Sequence, residues 1–378
     1  MCAVQGECKR PGRIVVKVGT RLVVEPDGTP RRGFLTHVAH EIRGLMVGGT
    51  QVVLITSGAV GLGRRRIFAS GKQLRPRQRP SAAAVGQPLL MQHWTEAMAR
   101  VDLVPAQVLL TLDDVTDRNR CIRLRETIQD LLGWGVVPVL NENDSVSVES
   151  VTFGENDMLA AMVAVAVAPA ELLVILSDQE GLYTADPRAD EHAELVRRVE
   201  PDEDVSRYAS GAGGPESLGG MARKIEAARR ATDCGIPVVI ADGNREHVLS
   251  RIISGEALGT CLVARPRMPS RKAWLAVHEK PRGAVVIDDG ARRALLRADG
   301  SSLLPSGIVR VEGDFRAGDL VAVRDLQGRE IARGLTNYSA AETDAIKGRH
   351  SSEIVQVLGR IGVDEVIHRD DMVVSASD

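Results

Sequence analysis

The sequence predicts an α/β protein in three layers, a mainly parallel sheet with helices on both faces, followed by a smaller, mostly β domain. Three observations predict it. Short apolar, β-branched runs alternate with amphipathic helical stretches, the pattern of strands joined by helical crossovers. Hydrophobic residues make up 44% of the chain but aromatics only 3%, so Val, Ile, Leu and Ala must build the core, which suits strands buried on both faces. The 378 residues exceed the roughly 100–200 of one domain, and the pattern changes near Arg265.

The first strand is expected at Arg13–Val18 (RIVVKV). Similar runs follow at Gln51–Thr56, Val136–Asn141, Glu171–Ser177 and Pro237–Ala241, each closed by turn or polar residues. Arg120–Leu132 reads as a helix with Ile122, Arg125, Ile128 and Leu132 at mixed three- and four-residue spacing, and Gly220–Cys234 as another, striped by Ile225, Ala228 and Thr232. The apolar run Met158–Ala168, stopped by Pro169, is too short to cross a bilayer and reads as a buried helix. The basic, proline-containing stretch Arg265–Lys272 reads as a linker. Beyond it, short β-like runs at Ala284–Ile287, Gly307–Glu312 and Asp319–Val323 are separated by turns such as Asp299-Gly300 and Gln327-Gly328. The expected organisation is a first domain over 10–264, a linker over 265–274 and a second domain over 275–373.

A net charge of −2 argues against nucleic acid or an anionic membrane as the main partner. The five cysteines are scattered, with no Cys-x-x-Cys pair. That predicts neither a zinc site nor a disulfide framework and fits a reducing cytosol. Met1–Arg10 has no apolar stretch long enough for a signal peptide.

Six motifs fall at the expected carboxyl ends of strands, where open α/β sheets bind ligands. Val15–Thr20 (VVKVGT) pairs Lys17 with a glycine turn at Gly19, a possible phosphate cradle; a lysine pointing into solvent is the bland alternative. Ile55–Gly63 (ITSGAVGLG) runs a strand into Ser57-Gly58 and a helix start whose N–H groups can bind an anion. Its Gly58-x-x-Gly61-x-Gly63 spacing is wrong for a dinucleotide loop. Val139–Ser147 (VLNENDSVS) crowds Asn141, Glu142, Asn143 and Asp144 at a strand end. Asp144 suits a substrate ammonium and the amides a carboxylate, although an Asx turn would use the same residues. In Phe153–Ala164, Glu155, Asn156 and Asp157 precede a helix, where simple capping is the alternative. Leu176–Arg188 carries Ser177-Asp178 into a long loop, and Ser217–Lys224 (SLGGMARK) reads as a glycine pair opening a helix with Lys224 one turn in. No Walker A motif is present. His368-Arg369-Asp370 spells a protein-kinase tripeptide without its required companions and is a coincidence.

Together the six segments, in order from NENDSV through FGENDMLAA and LSDQEGLYTADPR to GGMARK, resemble the amino acid kinase family and, within it, the glutamate 5-kinases. The likeness runs from about Arg13 to Met372. Ser301–Phe315 and His368–Met372 resemble the PUA domain fused to many of these enzymes. The resemblance implies an amino acid kinase fold and ATP-dependent phosphorylation of the side-chain carboxylate of L-glutamate, the first step of proline biosynthesis. It further implies Mg²⁺, feedback inhibition by proline, homo-oligomers, a glutamyl phosphate reductase as recipient of the product, and a cytoplasmic location. By resemblance, Lys17, Asp157 and Lys224 are catalytic, with Asp157 organising the lysines. Ser57, Asp144 and Asn156 bind glutamate. Lys17, Ser177, Asp178, Leu218, Gly219, Gly220, Met221 and Lys224 bind ATP, and no residue is assigned to a metal. Two positions depart from the family pattern: Leu218 stands where Thr is common, and Glu155 where Asp is common.

Two clusters stand outside the motifs. No acid occurs from Ile42 to Thr95, whereas Arg64–Arg66, Lys72, Arg75, Arg77 and Arg79 are basic; either they steer anionic substrates or they form a solvated loop. From Trp274 to Asp378 there are 14 Lys and Arg against 17 Asp and Glu, a net −3, where an RNA-binding domain should be basic. A structural or regulatory role is expected for that domain. The competing readings are an acetylglutamate kinase or aspartokinase and, from another class, an RNA-associated regulator with an inactive kinase fold.

Overall fold

The computed structural model describes residues 10–68, 73–147, 155–187, 190–205, 215–266, 281–297, 301–359 and 362–374, without the side chains of 118–119, 155 and 215–219. The chain divides into two compact units, Met1–Arg267 and Met268–Asp378.

The first unit is built on an eight-stranded sheet. Its strands are β1 (Arg13–Val18), β2 (Gln51–Ile55), β3 (Pro105–Leu110), β4 (Val137–Glu142), β5 (Leu172–Ser177), β6 (Arg198–Val199), β7 (Val238–Asp242) and β8 (Thr260–Leu262). Their order is β3-β4-β2-β1-β5-β7-β8-β6, and all neighbours are parallel except β7 and β8. The two-residue alternation of a strand decides what each face receives. Ile14, Val16 and Val18 of β1 join a core with Leu35, Val38 and Ile42 of the helix Arg32–Val47 and Leu90 and Trp94 of the helix Arg79–Ala99. Val15 and Lys17 therefore face the other layer, where the helix Glu155–Met162 packs on β1 and on the helix Pro215–Asp233. This is the expected three-layer, mainly parallel α/β fold. The run Met158–Ala168 is buried from Leu159 onward, as expected, but it changes type midway: five residues, Val163–Val167, form a π-helix.

Some expectations shift. β3 goes unanticipated, as do the short strands β6 and β8. The helix carrying Lys224 begins at Pro215, so the Gly219-Gly220 pair lies inside it rather than opening it; proline needs no N–H partner and suits a first helical turn. Cys261 on β8 is disulfide-bonded, against the expectation from scattered cysteines, because spacing along the chain does not show which thiols the fold brings together.

The second unit holds a five-stranded sheet of β9 (Gly283–Ile287), β10 (Ile308–Gly313), β11 (Leu320–Arg324), β12 (Glu330–Leu335) and β13 (Met372–Val374), in the order β10-β9-β11-β12-β13. Only the β9–β11 pair is parallel. Val285, Ile287, Phe315, Val321, Val323, Tyr338 and Ile367 fill its core. The His368-Arg369-Asp370 tripeptide has a local role: the His368 ring accepts from the Asp370 N–H and caps a 3₁₀ turn. The turn at Asp299-Gly300 and most of the Arg265–Lys272 linker lie outside the described residues.

Candidate active site

Strand register brings the motifs of the first unit to one edge. Lys17 on β1 lies opposite Ile55 on β2 and Ile175 on β5, and Ile55 lies opposite Leu140 on β4. Ser57, Asn141 and Ser177, each one or two residues further along, therefore emerge together at the carboxyl ends.

At the centre is Asp157. Its Oδ1 lies 2.6 Å from Lys17 Nζ and its Oδ2 3.4 Å from Lys224 Nζ. Lys17 is 5% exposed and Asp157 2%, which removes the solvent-facing alternative for Lys17. Asp157 is also no simple cap, because its carboxylate is turned to the lysines. Burial alone would raise the Asp157 carboxyl, but the two ammonium groups outweigh it and hold it below the usual carboxylate range. Burial lowers the Lys17 ammonium, with Asp157 pulling the other way. Lys224 Nζ also donates to the Gly220 carbonyl at 3.4 Å.

One residue earlier on the same helix, Asn156 ties two strand ends together, those of β2 and β4. Its Nδ2 donates to Ser57 Oγ at 2.9 Å and to the Thr56 carbonyl at 3.2 Å after β2, and to Asn141 Oδ1 at 3.0 Å on β4. Its Oδ1 accepts from the Glu142 N–H at 3.3 Å. Asn141 Nδ2 in turn donates to Gln87 Oε1 at 2.8 Å, and the Trp94 indole donates to Thr56 Oγ1 at 3.0 Å. Asp144 lies just beyond this network. Its carboxyl is pushed up to about 6 by burial and by Glu142, against a smaller pull from Arg79. On the far side, Ser177 Oγ donates to Asp178 Oδ1 at 3.3 Å, and Asp178 pairs with Arg21 at 2.9 Å.

The glycines do less anion binding than their pattern suggests. Gly19 donates its own N–H to the Leu176 carbonyl at 3.0 Å, and a Cβ there would sit 3.3 Å from that oxygen. Gly58 does turn the chain, at φ +117°, just before the helix Ala59–Ile67. Gly63 serves packing instead: a Cβ would lie 1.8 Å from the Ala82 carbonyl oxygen. A cavity of about 450 Å³ lined by Thr20, Arg21, Val24, Glu25, Pro26, Gly61 and Arg64 opens beside this turn, outside the lysine cluster.

The structure thus brings Lys17, Asp157 and Lys224 into contact, and Ser57 with Asn156. It sets Ser177 beside Asp178 and leaves Asp144 half-buried near Glu142 and Arg79. Gly220 and Met221 lie on the Lys224 helix, while the side-chain positions of Leu218 and Gly219 and of Glu155 lie outside the described residues, as does Lys72 of the basic cluster. Sequence reasoning missed Gln87, which sits in an Ala-rich helix without a polar cluster to mark it. It also missed Arg21 as the partner of Asp178.

A two-lysine, one-carboxylate cluster at the carboxyl edge of a parallel sheet defines a site for anionic groups. The chain belongs to the amino acid kinase family, whose profile matches residues 12–242, and a PUA domain profile matches residues 283–358. Among curated proteins, the chain is 43% identical over 364 residues to a protein named glutamate 5-kinase from Caldanaerobacter subterraneus subsp. tengcongensis, covering 96% of this chain and 97% of that one. It is 45% identical to another of that name from Geobacter sp. strain M21, covering 97% and 98%. A third, from Nitrosospira multiformis, is 45% identical with the same coverage.

Proposed function

We propose that this chain transfers the γ-phosphate of ATP to the side-chain carboxylate of L-glutamate, forming L-glutamyl 5-phosphate and ADP as the first step of proline biosynthesis. The observation that carries it is the buried Asp157 holding Lys17 and Lys224 on its two oxygens, in a chain that matches proteins named glutamate 5-kinase over almost its whole length.

A glutamate side chain has an ordinary pKa of about 4.3, so near neutral pH it is already a nucleophile and needs no general base. The difficulty is bringing one anion to another. A carboxylate oxygen attacks the γ-phosphorus, the bond to the bridging oxygen breaks, and its electron pair leaves on ADP. Catalysis is then positioning and charge stabilisation. Lys17 and Lys224 supply the positive charge, and Asp157 fixes where both ammonium groups stand. Ser57 and Asn156 orient glutamate, and Asp144 takes its ammonium group. Ser177, Asp178, Leu218, Gly219, Gly220 and Met221 meet the nucleotide.

Both Asp157 oxygens are taken by lysines. The chain therefore fits an Mg²⁺ carried by the triphosphate, which keeps waters and needs few protein ligands. That ion supplies charge neutralisation on the phosphates. A homo-oligomer, inhibition by proline, delivery of the acyl phosphate to a reductase and a cytoplasmic location complete the proposal. No helix among the described residues is long and apolar enough to cross a membrane. The RNA-associated reading is weaker, because the charged cluster is complete and the second unit carries net negative charge.

The test is an ATP- and Mg²⁺-dependent hydroxamate trap with L-glutamate, N-acetylglutamate and L-aspartate. Product with glutamate alone is expected. Product only with another acid would overturn the acceptor, and none from folded, ATP-binding protein would overturn the reaction.

A further inference from the structure

The amide network beneath Ser57 has a direction, and following it leads to an unused donor. The Glu142 backbone N–H can only donate, so Asn156 Oδ1, 3.3 Å away, accepts. Asn156 Nδ2 must then be the donor to Asn141 Oδ1 at 3.0 Å. Asn141 presents Nδ2 to Gln87, whose Oε1 accepts at 2.8 Å. One backbone group thus fixes every amide in the relay, and the relay ends on Gln87 Nε2. This group is buried and has no hydrogen-bond partner among the described residues, in a side chain only 9% exposed. A buried donor left unmade is costly, and a ligand that accepts from it would remove that cost.

Gln87 is also tied to the proposed acceptor residues, because the relay joins it through Asn141 and Asn156 to Ser57. Its neighbour Gly86 lies so close to the helix after Ser57-Gly58 that a Cβ would be 1.8 Å from the Ala59 carbonyl oxygen. Resting on the glutamate-kinase reading, the three polar groups of the acceptor need three different partners. The reacting carboxylate needs Lys17 and Lys224, and the ammonium needs an anion, which Asp144 supplies. The α-carboxylate needs a donor.

We propose that Gln87 determines acceptor specificity by donating its Nε2 amide to the α-carboxylate of the substrate. A neutral donor there admits a carboxylate without drawing the phosphoryl group away from the lysines.

Gln87→Glu is the sharpest test, because it swaps Nε2 for an acceptor oxygen and keeps the acceptor that Asn141 needs. The comparison is L-glutamate against L-isoglutamine, whose α-carboxylate is a carboxamide and whose side-chain carboxylate is free. At about pH 8, Gln87→Glu should raise KM for L-glutamate about 30-fold, the worth of one hydrogen bond to a charged group, with KM for ATP unchanged. The preference for glutamate over isoglutamine in kcat/KM should fall by a similar factor or more. Should that variant misfold, Gln87→Met removes the donor without adding charge, and the same ratio should fall about tenfold. A merely structural glutamine would weaken both acceptors alike, and an unchanged ratio in a folded variant would overturn the assignment. If the wild-type protein makes no glutamyl hydroxamate, the kinase reading fails and this proposal falls with it; an active wild type with an unchanged variant ratio sinks the proposal alone.

Discussion

Asp157 holds two ammonium groups on one buried carboxylate, and that arrangement decides what each substitution there should do. In the proposed reaction, removing Lys17 or Lys224 takes away charge at the transferring phosphoryl group, and either Ala variant should lower kcat by about 10²–10³ with a normal fold, as for other electrostatic stabilisers. Near-full kcat in a folded Lys17→Ala or Lys224→Ala variant would refute the role. Asp144 behaves differently. Its carboxyl sits at about 6 in the fold, raised from 3.8 by burial and Glu142. If it must be ionised to hold the substrate ammonium, kcat/KM for glutamate should fall below an inflection near 6, and Asp144→Asn should abolish that inflection. The stability consequence has the opposite sense. Because the folded form binds its proton more tightly than the unfolded chain, ionisation costs stability progressively as pH rises from 3.8 through about 6. Asp144→Asn should therefore raise the melting temperature at neutral pH and leave it unchanged near pH 3.5. Equal shifts at both pH values would exclude the carboxylate as the cause.

At the scale of elements, the site depends on how closely two helices approach. Gly63 on Ala59–Ile67 and Gly86 on Arg79–Ala99 face each other so tightly that a Cβ at either would lie 1.8 Å from a carbonyl oxygen of the other helix. These helices carry Ser57 at the entrance of one and Gln87 within the other. Gly63→Ala or Gly86→Ala should cost at least about 1–3 kcal/mol and raise KM for glutamate by pushing the helices apart. Gly33→Ala, where nothing lies within 4 Å of the new Cβ, should be neutral or stabilising by up to about 1 kcal/mol. Thermal melts and KM values for the three variants check this, and a harmless Gly63→Ala would contradict the packing account. The glycines of Ile55–Gly63 were legible as important in the sequence, but their main use was not. Spacing cannot distinguish a glycine that frees an N–H from one that admits a neighbouring helix. Central strands read well because both faces are apolar. β3 did not, because it begins with Pro105 and is an edge strand largely half-exposed, so it lacks the continuous β-branched run. The helix that supplies Asn156 and Asp157 was visible, whereas its π-helical end was not. At that end the Arg125 guanidinium, from another helix, donates to the Ala166 carbonyl, a long-range contact that no local pattern shows.

For the whole molecule, the question is what the second unit adds. Every residue assigned to chemistry or substrate lies in Met1–Arg267, and each unit has its own apolar core. A core of its own is the condition for folding alone. The PUA-like unit carries 14 basic against 17 acidic residues from Trp274 onward, a balance that does not favour an electrostatic hold on RNA, which depends on neutralising phosphates. On these two arguments we propose a structural or regulatory part for the second unit. A fragment ending at residue 266 should therefore melt cooperatively, bind ATP and form glutamyl hydroxamate with kcat within about tenfold of the full chain, while any response to an inhibitor is free to change. Intact folding without activity would mean that the second unit supplies part of the catalytic site and would overturn the proposal. Failure of the fragment to fold would mean that the two cores are not independent, and the division of labour would have to be redrawn around a single cooperative unit.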